Sequence, residues 1–334
     1  MSTLLLSQKD IRGLLSMSAV IAAVEQALRD YALGHARMPH KVYLDTDCGD
    51  FRAMPASVAG AAGMKWVCAY PGNPAKGLPN VMATLVYSDP ATGYPLAVMD
   101  AMDITAYRTG ATAAVASKYL ARPDSCTLGL IGAGQQAFTQ LLAHAELFRL
   151  KKVTVFDVRP SAVESLIRAF PQVPVEAGTP EAAAAADIVC TLTPAREPVL
   201  RRKWVSPGAH INAVGADGPG KQELELAILA EAMVVVDDME QAVLGGEVNV
   251  PISRGQFSVE RIHAVLGDII AGKRPGRAAR DSITVFDSTG LAIEDIAVAR
   301  MLFEKAMGSG GYQSINFMDG EVYGAVTRNL GSIP

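Results

Sequence analysis

The segment LGLIGAGQQA at residues 128–137 narrows the choice of folds most, because a short apolar run enters G-x-G-x-x-A at Gly132, Gly134 and Ala137. In a dinucleotide-binding βα turn the first glycine permits the tight bend. The second lets backbone approach a pyrophosphate, and the small third residue lets helix and strand pack closely. A helix opening there offers free N–H groups and the positive end of its dipole to phosphate. Such a pattern is weak alone, since glycine-rich turns are common; its surroundings give it weight. The next apolar run, KKVTVFD, ends at Asp157, 23 residues beyond Gly134 (157 − 134). That is close to the roughly 20 residues expected of an acid that binds the ribose 2′-hydroxyl. A carboxylate there repels a 2′-phosphate and favours NAD over NADP, while Arg159 two residues on softens that preference. A solvated aspartate at a strand end is the other reading.

The alternation continues through DIVCTLT, HINAVGAD, MVVVDD and ITVFDST, with helical stretches between them, among them the alanine-rich EAAAAAD. Strands alternating with helices imply parallel pairing and a doubly wound sheet. The texture before residue 123 differs. Ser16 to Leu33 carry apolar side chains at helical spacing, and Val42 to Val98 show short apolar runs broken by Gly, Pro and Asp, with a hairpin turn at SDPATGYP. A helix over TAYRTGATAAVASKYLA leads out of this region. The expected fold class is therefore α/β: a Rossmann-type doubly wound parallel sheet at residues 123–300, plus a strand-rich α+β domain built from 1–122 and 301–334.

Thirty basic against thirty-four acidic side chains give a net charge of −4, so nothing marks a nucleic-acid or anionic membrane surface. Expected partners are small molecules and copies of the chain itself. Four cysteines far apart, with no C-x-x-C pair and no signal peptide, suggest reduced thiols in the cytoplasm. No apolar run approaches the ~20 residues that span a bilayer. His35, His40, His144, His210 and His263 show no ligand spacing, so no metal is expected, and His210 in a core strand reads as structural.

Ligands of open α/β sheets lie beyond the carboxyl ends of the strands. Three such ends are unusually polar: Thr191 to Ala195, Ala213 to Leu224 and Phe286 to Gly290. Asp217 stands among glycines in the second, where it is displayed to a ligand or closes an Asx-turn. A second oddity lies in AAGMKWVCAY, residues 61–70. Strand alternation puts Met64, Trp66 and Cys68 on one face and Lys65, Val67 and Ala69 on the other. An ammonium among apolar neighbours needs a partner or a cleft, and a structural ion pair meets that need as well as catalysis does. Lys41, Arg52 and Arg108 are cations near element ends that individually read as solvated.

Taken together, FRAMPA, GMKWV, YPGNPAKGLP, TGYPLAVMD, RTGATAAVASKYLA, IGAGQQA, HINAVGADGPGKQEL and FDSTGLAIEDIAVA resemble the ornithine cyclodeaminase/μ-crystallin family from about residue 2 to 305. Within it the chain is most similar to the archaeal-type L-alanine dehydrogenases. The resemblance implies a homodimer formed by the N-terminal region with the C-terminal tail, and a small L-amino acid or 2-oxo acid as substrate. It implies Lys65 and Asp217 as catalytic residues, Lys41 as a holder of the substrate carboxylate and Arg108 as a contact of that carboxylate or of the cofactor. NAD would be held by Arg108, Thr109, Gly132, Gly134, Gln135, Gln136, Ala137, Asp157, Val158, Arg159, Thr191, Thr193, Pro194, Val214, Gly215, Ala216, Lys221, Ser288, Thr289 and Gly290.

Cyclodeaminases carry an acid two positions before the Met-Pro pair, where it holds the distal amine of ornithine; here that position is Arg52. An arginine repels a second ammonium and can grip a carboxylate through two N–H groups. The expected activity is thus reversible NAD-dependent oxidative deamination of L-alanine or a similarly small amino acid. Asp217 would be the base for the hydrolytic water and Lys65 the acid. Ornithine cyclodeamination, ketimine or imino-acid reduction and non-enzymatic ligand binding are the rival readings. Asn80, where relatives often have threonine, is a second departure.

Overall fold

The computed structural model describes residues 2–316; the segment 317–334, assigned above to the first domain, lies outside them. Six strands open the chain: β1 (Thr3–Leu6), β2 (Val42–Thr46), β3 (Gly49–Val58), β4 (Ala61–Ala69), β5 (Val81–Ser88) and β6 (Pro95–Asp100). The alternating stretch supplies β7 (Thr127–Ile131), β8 (Lys152–Phe156), β9 (Val175–Ala177), β10 (Ile188–Thr191), β11 (His210–Ala213), β12 (Met233–Val236), β13 (Ile262–Val265) and β14 (Thr284–Asp287). A short β15 (Ser314–Ile315) then returns to β1, giving a first sheet ordered β15-β1-β6-β5-β4-β3-β2. The second is parallel throughout and ordered β13-β12-β14-β11-β10-β7-β8-β9. Chain order reverses between β7 and β10, the switch point at which doubly wound sheets bind ligands.

The β2–β5 meander matches the texture read from the sequence, and its register settles the faces. Arg52 pairs with Val67 and Met54 with Lys65, so Arg52 and Lys65 share the inner face, where Met54, Val67 and Leu85 are buried. The opposite face carries Val42 (62% exposed), Leu44 (56%) and Trp66 (40%), an apolar surface that a lone chain leaves in water.

One boundary falls elsewhere than expected. The helix Ala292–Ser309, here the return helix, packs on β3, β4 and β5 of the first sheet and on the helices Met17–Ala32 and Met102–Leu120. Its Ile293, Ile296, Ala299 and Leu302 join Met54, Leu85 and Met99 in one apolar core. The chain thus rejoins the first domain at Ala292, nine residues before 301 (301 − 292). It looked like another crossover of the second sheet because β14 precedes it directly and its apolar spacing is that of any amphipathic helix.

The domains meet along the helix Met102–Leu120, which crosses the helix Gln135–Leu147 at Gly110. A Cβ at Gly110 would fall 2.4 Å from the Thr139 carbonyl oxygen. Buried His210 bridges Thr284 and Asn212 beneath this crossing, and Asn212 donates to Ser117. Burial pushes the His210 imidazole down to about 3, consistent with a neutral structural role. No single described helix is long and apolar enough to cross a membrane.

Candidate active site

The glycine turn leaves β7 through Gly132, whose φ of +105° a side chain would strain. A Cβ there would also stand 3.1 Å from the Leu192 backbone. Gly134 caps the helix Gln135–Leu147, and a Cβ at Gly134 would meet no atom within 4 Å. Open space therefore fronts the free N–H groups of that helix, as a pyrophosphate requires, while fully buried Ala137 closes the helix onto the sheet. Beyond β8, Asp157 accepts the Ala133 N–H at 2.7 Å and the Arg159 N–H at 2.8 Å. Burial alone would raise this carboxyl, but the two backbone donors and Arg159 hold it below the ordinary range. The Arg159 Nε–H also reaches it at 3.5 Å, which leaves about one of its roughly four acceptor positions for a ribose hydroxyl. Val158 beside it is 84% exposed, an apolar platform at the same edge. Replacing Asp157 by serine is expected to raise KM for NAD about 10- to 100-fold and to improve use of NADP, because charged hydrogen bonds are lost and a repulsive charge is removed.

The next strand ends converge on Glu223, which the sequence reading did not single out. Its carboxylate accepts the Thr191 hydroxyl and the Thr193 hydroxyl and N–H, each at 2.7 Å, and the Gly215 N–H at 2.8 Å. Glu247 takes the Glu223 and Leu224 N–H groups from behind. Asp237 receives the Gly290 N–H at 2.7 Å and the Thr289 hydroxyl at 3.0 Å. Burial raises all three of these carboxyls, and it pushes Asp287, at the end of β14, up to about 8. Thr191 and Thr109, both expected at the cofactor, have their hydroxyls committed to the scaffold, to Glu223 and to the Thr105 carbonyl. Ala216 is likewise fully buried, whereas Pro194 is exposed, Val214 is half-buried and Ser288 is buried beside Thr289.

A cleft of about 230 Å³ lies between the first sheet and these strand ends, lined by Lys41, Tyr43, Asp217, Gln241, Gly245 and Thr289 among others. Half-buried Lys41 donates to the Thr289 carbonyl, and burial pushes its ammonium down to about 8 against the pull of Asp237 and Asp217. Arg52 lies 5.3 Å over the Tyr43 ring. It donates to Asp50 at 2.6 and 3.3 Å and to Asp217 at 3.0 Å. Burial would weaken the charge on Arg52, but Asp50 and Asp217 hold it firmly protonated. Asp217 also pairs with Lys221, a residue expected at the cofactor. Burial would raise the Asp217 carboxyl, yet Lys221 and Arg52 hold it far below the usual carboxylate range.

Lys65 is fully buried, and the carboxylate against it is Asp295 of the return helix, at 2.7 Å, with the Thr105 hydroxyl oxygen at 3.2 Å. Asp217, the acid that the polar strand ends singled out, serves Arg52 and Lys221 instead. Burial pushes the Lys65 ammonium down to about 7, Arg108 and Lys41 push the same way, and Asp295 opposes them. Arg108 donates to Asp295 and to Glu294, each at 3.1 Å, and those two carboxylates keep the buried guanidinium charged. Burial in turn pushes the Glu294 carboxyl up to about 7.

Residues 1–310 match the sequence model of the ornithine cyclodeaminase/mu-crystallin family. The chain belongs to that family. It is 49% identical over 319 residues to the alanine dehydrogenase of Archaeoglobus fulgidus, covering 95% of this chain and 99% of that protein. A solved archaeal alanine dehydrogenase, described as a dimer with bound NAD, superposes with a TM-score of 0.94 at 49% identity, over 95% of this chain and all of that one. The Thermococcus litoralis Δ1-pyrroline-2-carboxylate reductase, solved with NADH and L-proline, gives a TM-score of 0.90 at 37% identity, over 94% of this chain and all of that one.

In this family member the sequence reading missed Asp50, Glu223, Asp237, Glu294 and Asp295. A signal existed for the last two, since AIEDIAVA sets two adjacent acids in an otherwise apolar helix, the counterpart of one lysine in an apolar strand. Asn80 is exposed, and its carbonyl accepts the Tyr70 N–H.

Proposed function

We propose that the protein is an NAD-dependent alanine dehydrogenase that converts L-alanine, or a similarly small L-amino acid, reversibly to its 2-oxo acid and ammonia. The observation that carries this reading is the guanidinium of Arg52, held between Asp50 and Asp217 at the edge of the cleft. Three of its five N–H groups are taken, which leaves two (5 − 3) for a carboxylate, with the Lys41 ammonium on the same cleft. A second ammonium on the substrate would meet these cations, which disfavours ornithine.

Gly132, Gly134, Asp157 and Val158 would hold NAD from pyrophosphate to adenosine, and bound NAD supplies an acceptor for the hydride on Cα. The chain's own groups do the rest. Lys41 and Arg52 hold the carboxylate, which orients Cα, and orientation is much of what hydride transfer requires. Lys65, poised near neutrality, exchanges the proton that hydrolysis of the imine releases. Asp217, held far below the usual range, is a poor proton acceptor, so its part is to fix Arg52 and Lys221 and to attract the amino group. This revises the base role expected for it.

The apolar face of β2–β4 supports a homodimer, in line with the dimeric relative. Four unpaired cysteines suit a cytoplasmic setting. The decisive assay follows absorbance at 340 nm with purified protein, NAD and either L-alanine or L-ornithine. NADH formed with alanine and none with ornithine is expected; proline formed from ornithine without net NADH would overturn the reading.

A further inference from the structure

Among the described residues, six buried side-chain polar atoms have neither a hydrogen-bond nor an ion-pair partner: Nε of Arg122, Oγ of Ser125, Oε1 of Gln140 and of Gln241, Oδ1 of Asp287 and Oε1 of Glu294. Of their residues, Gln241 is the one that lines the substrate cleft. Its side chain belongs to the helix Met239–Gly245, whose first turn is capped by the Asp238 carboxylate accepting the Gln241 backbone N–H at 3.0 Å. The cap fixes the backbone and leaves the carboxamide unengaged. The residue is only 7% exposed, so bulk water does not satisfy the amide oxygen. Buried polar groups are almost always paired, so an orphan on a residue that lines a cleft calls for a ligand to explain it.

The chemistry of the other lining groups says which part of a ligand belongs there. Lys41, and at the edge of the cleft the free N–H groups of Arg52 beside Asp217 and Tyr43, are donors suited to a carboxylate. Acceptors are scarce: the Thr289 carbonyl takes the Lys41 ammonium, and the two oxygens of Asp217 take Lys221 and Arg52. An α-amino acid presents, one atom from its carboxylate carbon, a nitrogen with only hydrogens to offer. Oε1 of Gln241 has no donor against it and can receive them.

We infer that Gln241 is a substrate-binding residue that accepts a hydrogen bond from the reacting nitrogen, and so helps select an amine over an alcohol or a bare 2-oxo acid. The inference rests on the dehydrogenase reading and concerns the ammonia-binding half of the reverse reaction. In that direction ammonium and the 2-oxo acid are separate substrates with separate KM values, so the contact can be isolated.

The test measures reductive amination of pyruvate with NADH for the unmodified protein, Gln241→Met and Gln241→Glu. Methionine keeps the length and volume but cannot hydrogen-bond in this way, so KM for ammonium is expected to rise about 10- to 100-fold. KM for pyruvate and for NADH should stay within about twofold, the pattern of a contact made to one substrate alone. Gln241→Glu keeps the acceptor and should restore most of the ammonium affinity. An unchanged KM for ammonium in Gln241→Met overturns the assignment, as does a parallel rise in KM for NADH, which would place the amide on the cofactor. Failure of the unmodified protein to turn over in either direction would count against the dehydrogenase reading itself.

Discussion

Replacing Lys65 by methionine is expected to lower kcat by roughly 10²- to 10⁴-fold, the range over which a positioned acid–base group contributes. NAD binding, followed by fluorescence titration, should stay near that of the unmodified protein, because the glycine turn and Asp157 stand on the other domain. The physical ground is the fully buried ammonium at 2.7 Å from Asp295, brought down to about 7 chiefly by burial. Above that pH the amine is neutral and can take a proton, so kcat for amino-acid oxidation should rise with pH to a plateau past about 7. The reverse reaction needs the ammonium and should slow over the same range. Asp295 is the group that holds the proton on, so Asp295→Asn should move both inflections to lower pH. Stability follows the same sign. The folded form loses the Lys65 proton near 7 while the unfolded chain keeps it to 10.5, so the penalty of burying this charge is full below about 7 and shrinks as pH rises toward 10.5. Inflections that stay put in Asp295→Asn would show that Lys65 does not set them.

Replacing Arg52 by alanine is expected to raise KM for L-alanine about 10- to 100-fold, the loss of one or two charge-assisted hydrogen bonds to the carboxylate. Lysine at this position should not rescue it. One ammonium cannot span Asp50 and Asp217 while still meeting a carboxylate in the plane of a guanidinium. Asp217, freed of Arg52 in the alanine variant, would be left to Lys221 and Lys41, and its carboxyl should rise toward the ordinary range. A KM for alanine that stays within about threefold of the unmodified value would remove Arg52 from the substrate site.

Local rules carried the sequence reading a long way. The G-x-G-x-x-A turn, the helix behind it and Asp157 were legible because all three lie within one βαβ unit, where spacing along the chain is spacing in the fold. β2 to β6 were legible from alternation and turn residues. β1, β9, β13 and β15 were not; β10, β11, β12 and β14 are as short as β1 and β13, but each runs into a polar strand end that marks it. Lys65 stood out as a charge in an apolar strand, and alternation put it on the face opposite Trp66; that this face is the inner one was decided by strand pairing and burial.

The sequence by itself determined the two kinds of sheet, the glycine turn and the list of cations that could form a site. The tertiary structure decided the company those cations keep. It set Asp295, 230 residues along the chain from Lys65 (295 − 65), against the lysine, and placed Arg52 between Asp50 and Asp217. The reason is that the return helix packs back on β3 and β4 through apolar contacts that any amphipathic helix can make. Alternation says which face a side chain takes, but which carboxylate waits on that face depends on how the elements are packed, and burial then sets how readily the lysine gives up its proton.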